Sequence, residues 1–371
     1  MARFIETGAD VSLPGQVVLV LQGGGALGAY QLGVYEALHQ AGIEPEWVIG
    51  TSIGAINASL IAGNAPEHRL QRLRAFWAQM EQPAPHPNAF DWFGLGSLLA
   101  NMTTVTRGIP NFFTPNLHAL RGANAALGVE QAAYYSTEPL RQTLKELVDF
   151  EYLGRCQPRM TVGAVNVCTG AMRYFDTRQE RLGVDHVMAS GALPPAFAAV
   201  RIDGQPYWDG GIYSNTPIEA VLDDMPRRDA LIFAVNVWHQ TGPEPESIQQ
   251  VMGRHKDIQF ASRADSHILR QKQIHRLRHV IRELHMHLSP AQQNDAKMLE
   301  LVSWGCGTTM HVAHLVAPRL EGEDHTKDID FTAAGIRARR AAGFADARGM
   351  IERAPWAGAV VDPIEGVIEH H

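Results

Sequence analysis

The chain has 371 residues, 45% hydrophobic and 19% charged, enough to bury at least one large core in one elaborated domain or two ordinary ones. A net charge of −7 disfavours nonspecific nucleic-acid binding, and three scattered cysteines (Cys156, Cys168, Cys306) argue against a disulfide framework or a cysteine-ligated zinc and for buried free thiols. No apolar run approaches the roughly 20 residues of a membrane-spanning helix, and the first sixteen residues, with Glu6 and Asp10, do not read as a secretory signal, so the cytoplasm is the expected compartment.

In chain order, Val17-Val18-Leu19-Val20-Leu21 reads as a buried strand running into Gly23-Gly24-Gly25, and Ala29 to Ala41 as a helix stopped by Gly42. A second unit follows: strand Trp47-Val48-Ile49, a tight turn over Gly50 to Gly54, and a buried helix over Ala55 to Ala62. Between Pro83 and Pro115 the periodicity fails, and Phe90, Trp92, Phe93, Phe112 and Phe113 make this stretch either an apolar lid or a loop packed on the core. Strands are expected over Met160 to Val167 and Met172 to Phe175, joined through Gly170, and over Leu231 to Val237. Up to residue 240 this alternation argues for an α/β fold with an open, mostly parallel sheet and helices on both faces.

Further on, Arg263 to His287 reads as an amphipathic helix with Ile274, Leu277, Ile281 and Leu284 on one stripe. It carries Arg263, Arg270, Lys272, Arg276, Arg278 and Arg282 against Asp265 and Glu283, a local charge of +4 in a chain of −7. Docking on the core with a solvated basic face is expected; the alternative is a helix laid on anionic lipid. Its histidines, His275, His279, His285 and His287, lack the His-Glu-x-x-His spacing of a zinc site and read as a solvated face. A strand over His314 to Val316 and a helix from Thr332 to about Arg353 complete the pattern, and the terminal pair His370-His371 resembles the start of a tag and is set aside.

Three motifs carry chemistry. Gly50-Thr51-Ser52-Ile53-Gly54 fits the nucleophile elbow, in which a strand turns into a helix so sharply that flanking side chains must be absent and the serine is pushed into the open. A helix N-terminus there favours negative charge at the reacting centre. The loop Gln22 to Gly28 would lie beside Ser52 on a neighbouring parallel strand and could present backbone N–H groups as an oxyanion hole. Its glycines Gly23, Gly25 and Gly28 also satisfy the dinucleotide-binding spacing, but the second strand ends in Gly50-Thr51-Ser52 without the acidic ribose ligand that such a unit needs. Asp209, entering the glycine turn Gly210-Gly211, is the best-placed base for Ser52.

In this order, the three motifs resemble those of the patatin-like phospholipases. Ala189 to Phe197 and Asn215-Thr216-Pro217 match the same family, over about residues 16–240, and the tail resembles an extension found in a subset of bacterial members. The resemblance implies a three-layer α/β/α catalytic domain (16–240) with a mainly helical C-terminal extension (241–371) packed on it. It implies a Ser52–Asp209 dyad without histidine, metal or cofactor, an oxyanion hole from Gly23, Gly24, Gly25 and Gly28, and supporting glycines at Gly50, Gly54, Gly210 and Gly211. The activity implied is hydrolysis of fatty-acyl esters in lipids through an acyl-Ser52, with peripheral contact to a membrane or lipid surface. Leu27 stands where the family usually has Arg or Lys. An acyltransferase or a hydrolase of hydroxy-acid polyesters would use the same dyad, whereas a non-catalytic lipid-binding protein would leave Ser52 inert.

Overall fold

The computed structural model describes residues 13–82, 108–155, 158–261, 264–358, 362 and 364–371. Its main sheet takes strands in the order β11 (Val367–His370), β10 (Met310–Val316), β9 (Ala230–Asn236), β1 (Gln16–Leu21), β2 (Trp47–Gly50), β5 (Arg159–Asn166), β8 (Gln205–Asp209) and β7 (Val200–Ile202), with β6 (Met172–Asp176) also paired to β5. From β11 to β5 every pairing is parallel; β6, β7 and β8 add antiparallel pairings at one side. β3 (Thr114–Pro115) and β4 (Tyr135–Ser136) form a separate two-stranded ribbon.

β1 explains the layering. Val17, Leu19 and Leu21 join one apolar cluster and Val18 and Val20 the other, so the strand has no polar face and must be covered on both sides. Helices α1 (Ala29–Gln40) and α2 (Ile53–Ala62) cover the first side, together with the late helix Ala333–Arg353. Val221 and Leu222 of the short helix Glu219–Leu222 and Ile268 of the helix Ala264–Met286 cover the second. The result is a mixed α/β sandwich of three layers.

The C-terminal region is built into this sheet. β10, the helix Ala333–Arg353 and β11 form a crossover unit whose strands are parallel. Its helix meets α1 backbone to backbone: a Cβ on Gly33 would sit 1.9 Å from the Arg340 carbonyl oxygen, and one on Gly343 2.0 Å from that of Tyr30. The Tyr30 hydroxyl donates to Asp346 (2.8 Å), and Arg340 Nε donates to Glu36 (2.7 Å).

Several expectations need correction. β10 begins at Met310, not His314, because residues 310–313 are themselves buried against β9. The helix Ala264–Met286 buries Ile268, Gln271, His275 and His279, whereas Leu277 and Leu284 of the expected stripe are 65% and 63% exposed. His275 and His279 therefore do not form a solvated face; hydrogen bonds from Nε2 to the carbonyls of Leu222 (3.1 Å) and Thr308 (2.9 Å) offset their desolvation. His370 is a buried residue of β11 whose ring stacks on His311, so the terminal pair is part of the fold. Cys306 is a buried free thiol, but Cys168 is exposed in the turn after β5. Cys156, Arg263 and most of the aromatic stretch (83–107) lie outside the described residues; its end, Phe112 and Phe113, is buried. Among the described residues no helix is long and apolar enough to cross a membrane.

Candidate active site

Because β1 and β2 are parallel, the loops that follow them leave the same edge of the sheet. The turn after β2 closes only without side chains at its ends: a Cβ on Gly50 would lie 2.3 Å from the Gly54 carbonyl, and one on Gly54 2.2 Å from the Leu21 carbonyl oxygen. Between them Ser52 adopts φ +56°, a conformation rare for a residue with a side chain and typical of functional turns. Its N–H donates to both the carbonyl and the Oγ of Ser190 (3.1 Å each), the buried last residue of the helix Val184–Ser190. α2 starts at Ile53, so the positive end of its dipole lies at Ser52.

Strand register brings Asp209 to the same place. β2 pairs with residues 159–162 of β5, ending with Gly50 opposite Val162, while β6 occupies the other edge of β5 through Val165. β8 must therefore continue along the edge shared with β2, and it sets Asp209 opposite Ala164, two residues beyond Gly50. The Asp209 carboxyl is 1% exposed. It accepts a hydrogen bond from the Gly211 N–H (2.7 Å), and Ser52 lines the same cavity. Burial pushes its pKa up to about 7, and the Gly211 N–H and the neighbouring Ser52 side chain pull against that shift. Gly210 and Gly211 are small for contact reasons: Cβ atoms there would fall 2.4 Å from the Gly163 carbonyl oxygen and 2.8 Å from Asn215 Oδ1.

The glycine loop is the third wall. Gly23, Gly24 and Gly25 line a cavity of about 260 Å³ with Ser52 and Asp209. Gly23 is anchored on both sides: its N–H donates to the Asn215 carbonyl (3.1 Å), and its own carbonyl accepts from Asn215 Nδ2 (3.0 Å) and Trp238 Nε1 (2.8 Å). Gln22 Oε1 accepts from the backbone N–H groups of Val237 (2.6 Å) and Trp238 (2.9 Å), tying the loop to the end of β9. Gly28 does not reach the cavity; it lies beneath Ile53 and Trp77, where a Cβ would be 2.5 Å from Ile53 Cγ1. Leu27 is 4% exposed and belongs to the core.

The remaining wall is aromatic. Phe112, Phe113, Tyr135 and Phe197 contact one another at ring separations of 4.9–6.3 Å, and Phe331 packs on Phe112 at 5.9 Å. Trp238, Phe260, Asp328, Ile329 and Phe331 were not singled out by sequence reasoning, and nothing in their local pattern marks them, since most arrive from the C-terminal region through tertiary contact. His186 and His239, which stand near the motif blocks in sequence, do not line this cavity. His186 Nδ1 accepts from the Gly183 N–H (3.0 Å), and His239 lines a different cavity, beside His314.

Comparison with known proteins gives the arrangement a lineage. The family model described as patatin-like phospholipase matches residues 19–222, more than half of the chain, and a model described as patatin phospholipase matches residues 258–362. The chain is 55% identical over 49 residues to lysophospholipase nte1 of Aspergillus terreus, which is 13% of this chain and 3% of that protein. It is 36% identical over 75 residues to triacylglycerol lipase ptl3 of Schizosaccharomyces pombe, 20% of this chain and 16% of the other. It thus spans only a small part of the length of these curated relatives. VipD from Legionella pneumophila superposes with a TM-score of 0.38 at 16% identity, covering 91% of this chain and 67% of VipD.

Proposed function

The chain belongs to the patatin-like phospholipase family, and from that premise we propose that it is a serine acyl hydrolase of lipid esters, with Ser52 as nucleophile and Asp209 as its base. One observation carries this reading: Ser52, at the N-terminus of α2, and the buried carboxyl of Asp209 line a single cavity walled by the glycine loop. An ordinary aspartate, with a pKa near 3.9, is a feeble base for an alcohol; burial that lifts it to about 7 makes it a far better one while leaving much of it ionised at neutral pH.

In the first step Asp209 takes the Ser52 proton as Oγ bonds to the ester carbonyl carbon. The carbonyl oxygen becomes an oxyanion facing N–H groups of Gly24, Gly25 and Ile53; the Gly23 N–H is committed to Asn215. The carbon–oxygen bond to the alcohol then breaks, and the alcohol leaves with the proton from Asp209. Water, deprotonated by the same carboxylate, attacks the acyl-serine and releases the acid and free Ser52.

We take residues 16–240 as the catalytic region, with the extension 241–371 supplying Phe260, Asp328, Ile329 and Phe331 to its cavity. Exposed Leu277 and Leu284, with Arg276 and Arg282 on the same helix, support peripheral contact with a lipid surface. The test is a lipid-ester panel assayed with wild type, Ser52→Ala and Asp209→Asn, folding being checked by circular dichroism. Each variant should lose roughly 10⁴-fold or more in kcat; undiminished hydrolysis by either folded variant would end the proposal.

A further inference from the structure

We infer that the preferred substrate is an uncharged acyl ester, such as an acylglycerol or simple alkyl ester, and that phosphate-bearing lipids are poor substrates. This rests on the Ser52–Asp209 reading above and narrows it. Among the described residues, the charged ones that line the cavity, Asp209 and Asp328, are both acidic; the other walls are aromatic, aliphatic, glycine, hydroxyl or amide. Arginine and lysine are the side chains that most often hold phosphate at hydrogen-bonding distance. Among the described residues, the two lysines nearest this wall are already engaged. Lys256 Nζ donates to Asp328 (2.7 Å) and to the His325 carbonyl (2.9 Å), while Lys327 Nζ donates to Asp257 (2.7 Å) and lies 5.1 Å over the Trp238 ring. At position 27 of the glycine loop the side chain is a core leucine.

A phosphodiester next to the scissile ester would give up water, meet apolar walls and lie beside the Asp209 carboxylate. An uncharged glycerol hydroxyl loses much less on the same transfer. The cavity also limits the acyl part: since an apolar cavity of about 150 Å³ accommodates benzene, 260 Å³ has room for roughly ten carbon atoms.

The experiment compares two lipids with the same acyl chains, dioctanoylglycerol and dioctanoyl phosphatidylglycerol, in neutral detergent micelles with the full chain. The glyceride should be cleaved with a kcat/KM about tenfold or more above that of the phospholipid. Ile329→Lys, which places a cation in the wall, and Asp328→Asn, which removes the carboxylate that Lys256 binds, should each narrow that ratio; having both guards against one failing to fold. Equal or faster cleavage of the phospholipid by the wild type overturns the inference. Ser52→Ala is run beside them: equal turnover of both lipids that vanishes in Ser52→Ala sinks only the substrate preference, whereas glyceride turnover that survives Ser52→Ala sinks the catalytic reading beneath it.

Discussion

Replacing Asp209 by asparagine should abolish catalysis and, above neutral pH, make the protein more stable. Asparagine keeps the shape and can still accept the Gly211 N–H, but it removes a charge from a site that is 1% exposed. A pKa raised from 3.8 to about 7 means that the folded state binds the proton more tightly than the unfolded chain does. The stability linked to that proton is whole below pH about 4, falls as pH rises, and is gone above pH about 7. At about 1.4 kcal/mol per pKa unit, roughly 4 kcal/mol is involved at pH 8. With an unfolding entropy near 2.1 cal/mol/K per residue, a chain of 371 residues should gain about 5 °C in Tm. Thermal melts of wild type and Asp209→Asn from pH 4 to pH 9 should diverge through this window and nearly coincide at its acid end. A Tm difference that is absent at pH 8, or the same at every pH, would refute the assignment of Asp209 as a desolvated carboxylate.

The same titration governs turnover: since the base must be ionised, kcat/KM should fall tenfold per pH unit below about pH 7, read from initial rates across pH 5–9 with an uncharged ester. Gly33→Ala would place its Cβ 1.9 Å from the Arg340 carbonyl oxygen and should force α1 from the helix Ala333–Arg353, destabilising the fold by about 3 kcal/mol or more in urea melts. Phe331→Ala should open the aromatic wall and move the preferred p-nitrophenyl ester toward longer acyl chains, with Ser52-dependent hydrolysis retained.

The parts of the site legible in the sequence were those whose backbone leaves a compositional mark. Gly50 and Gly54 are glycines because carbonyl groups occupy the space of their missing side chains, so the elbow could be read directly. Asp209 was found through its two following glycines, but its register against β5 and its burial are properties of the folded sheet. Trp238, Phe260 and Phe331 could not be found this way, since an aromatic residue in a cavity wall looks the same locally as one in a core. The helix Ala264–Met286 misled for a related reason. Its leucines suggested the buried stripe, yet tertiary contact turned Ile268, Gln271, His275 and His279 inward, with carbonyls of Leu222 and Thr308 satisfying the imidazoles.

The wall contributed by Asp328, Ile329 and Phe331 also sets an order of assembly. Ser52 and the glycine loop are made first, and the segment that packs its Asp328 carbonyl against Gly25 follows some 300 residues later. Synthesis runs from the N-terminus, so a nascent chain carries Ser52 long before it has an enclosed chamber in which to hold an acyl group. The cavity is thereby left without one wall until residue 331 has been made.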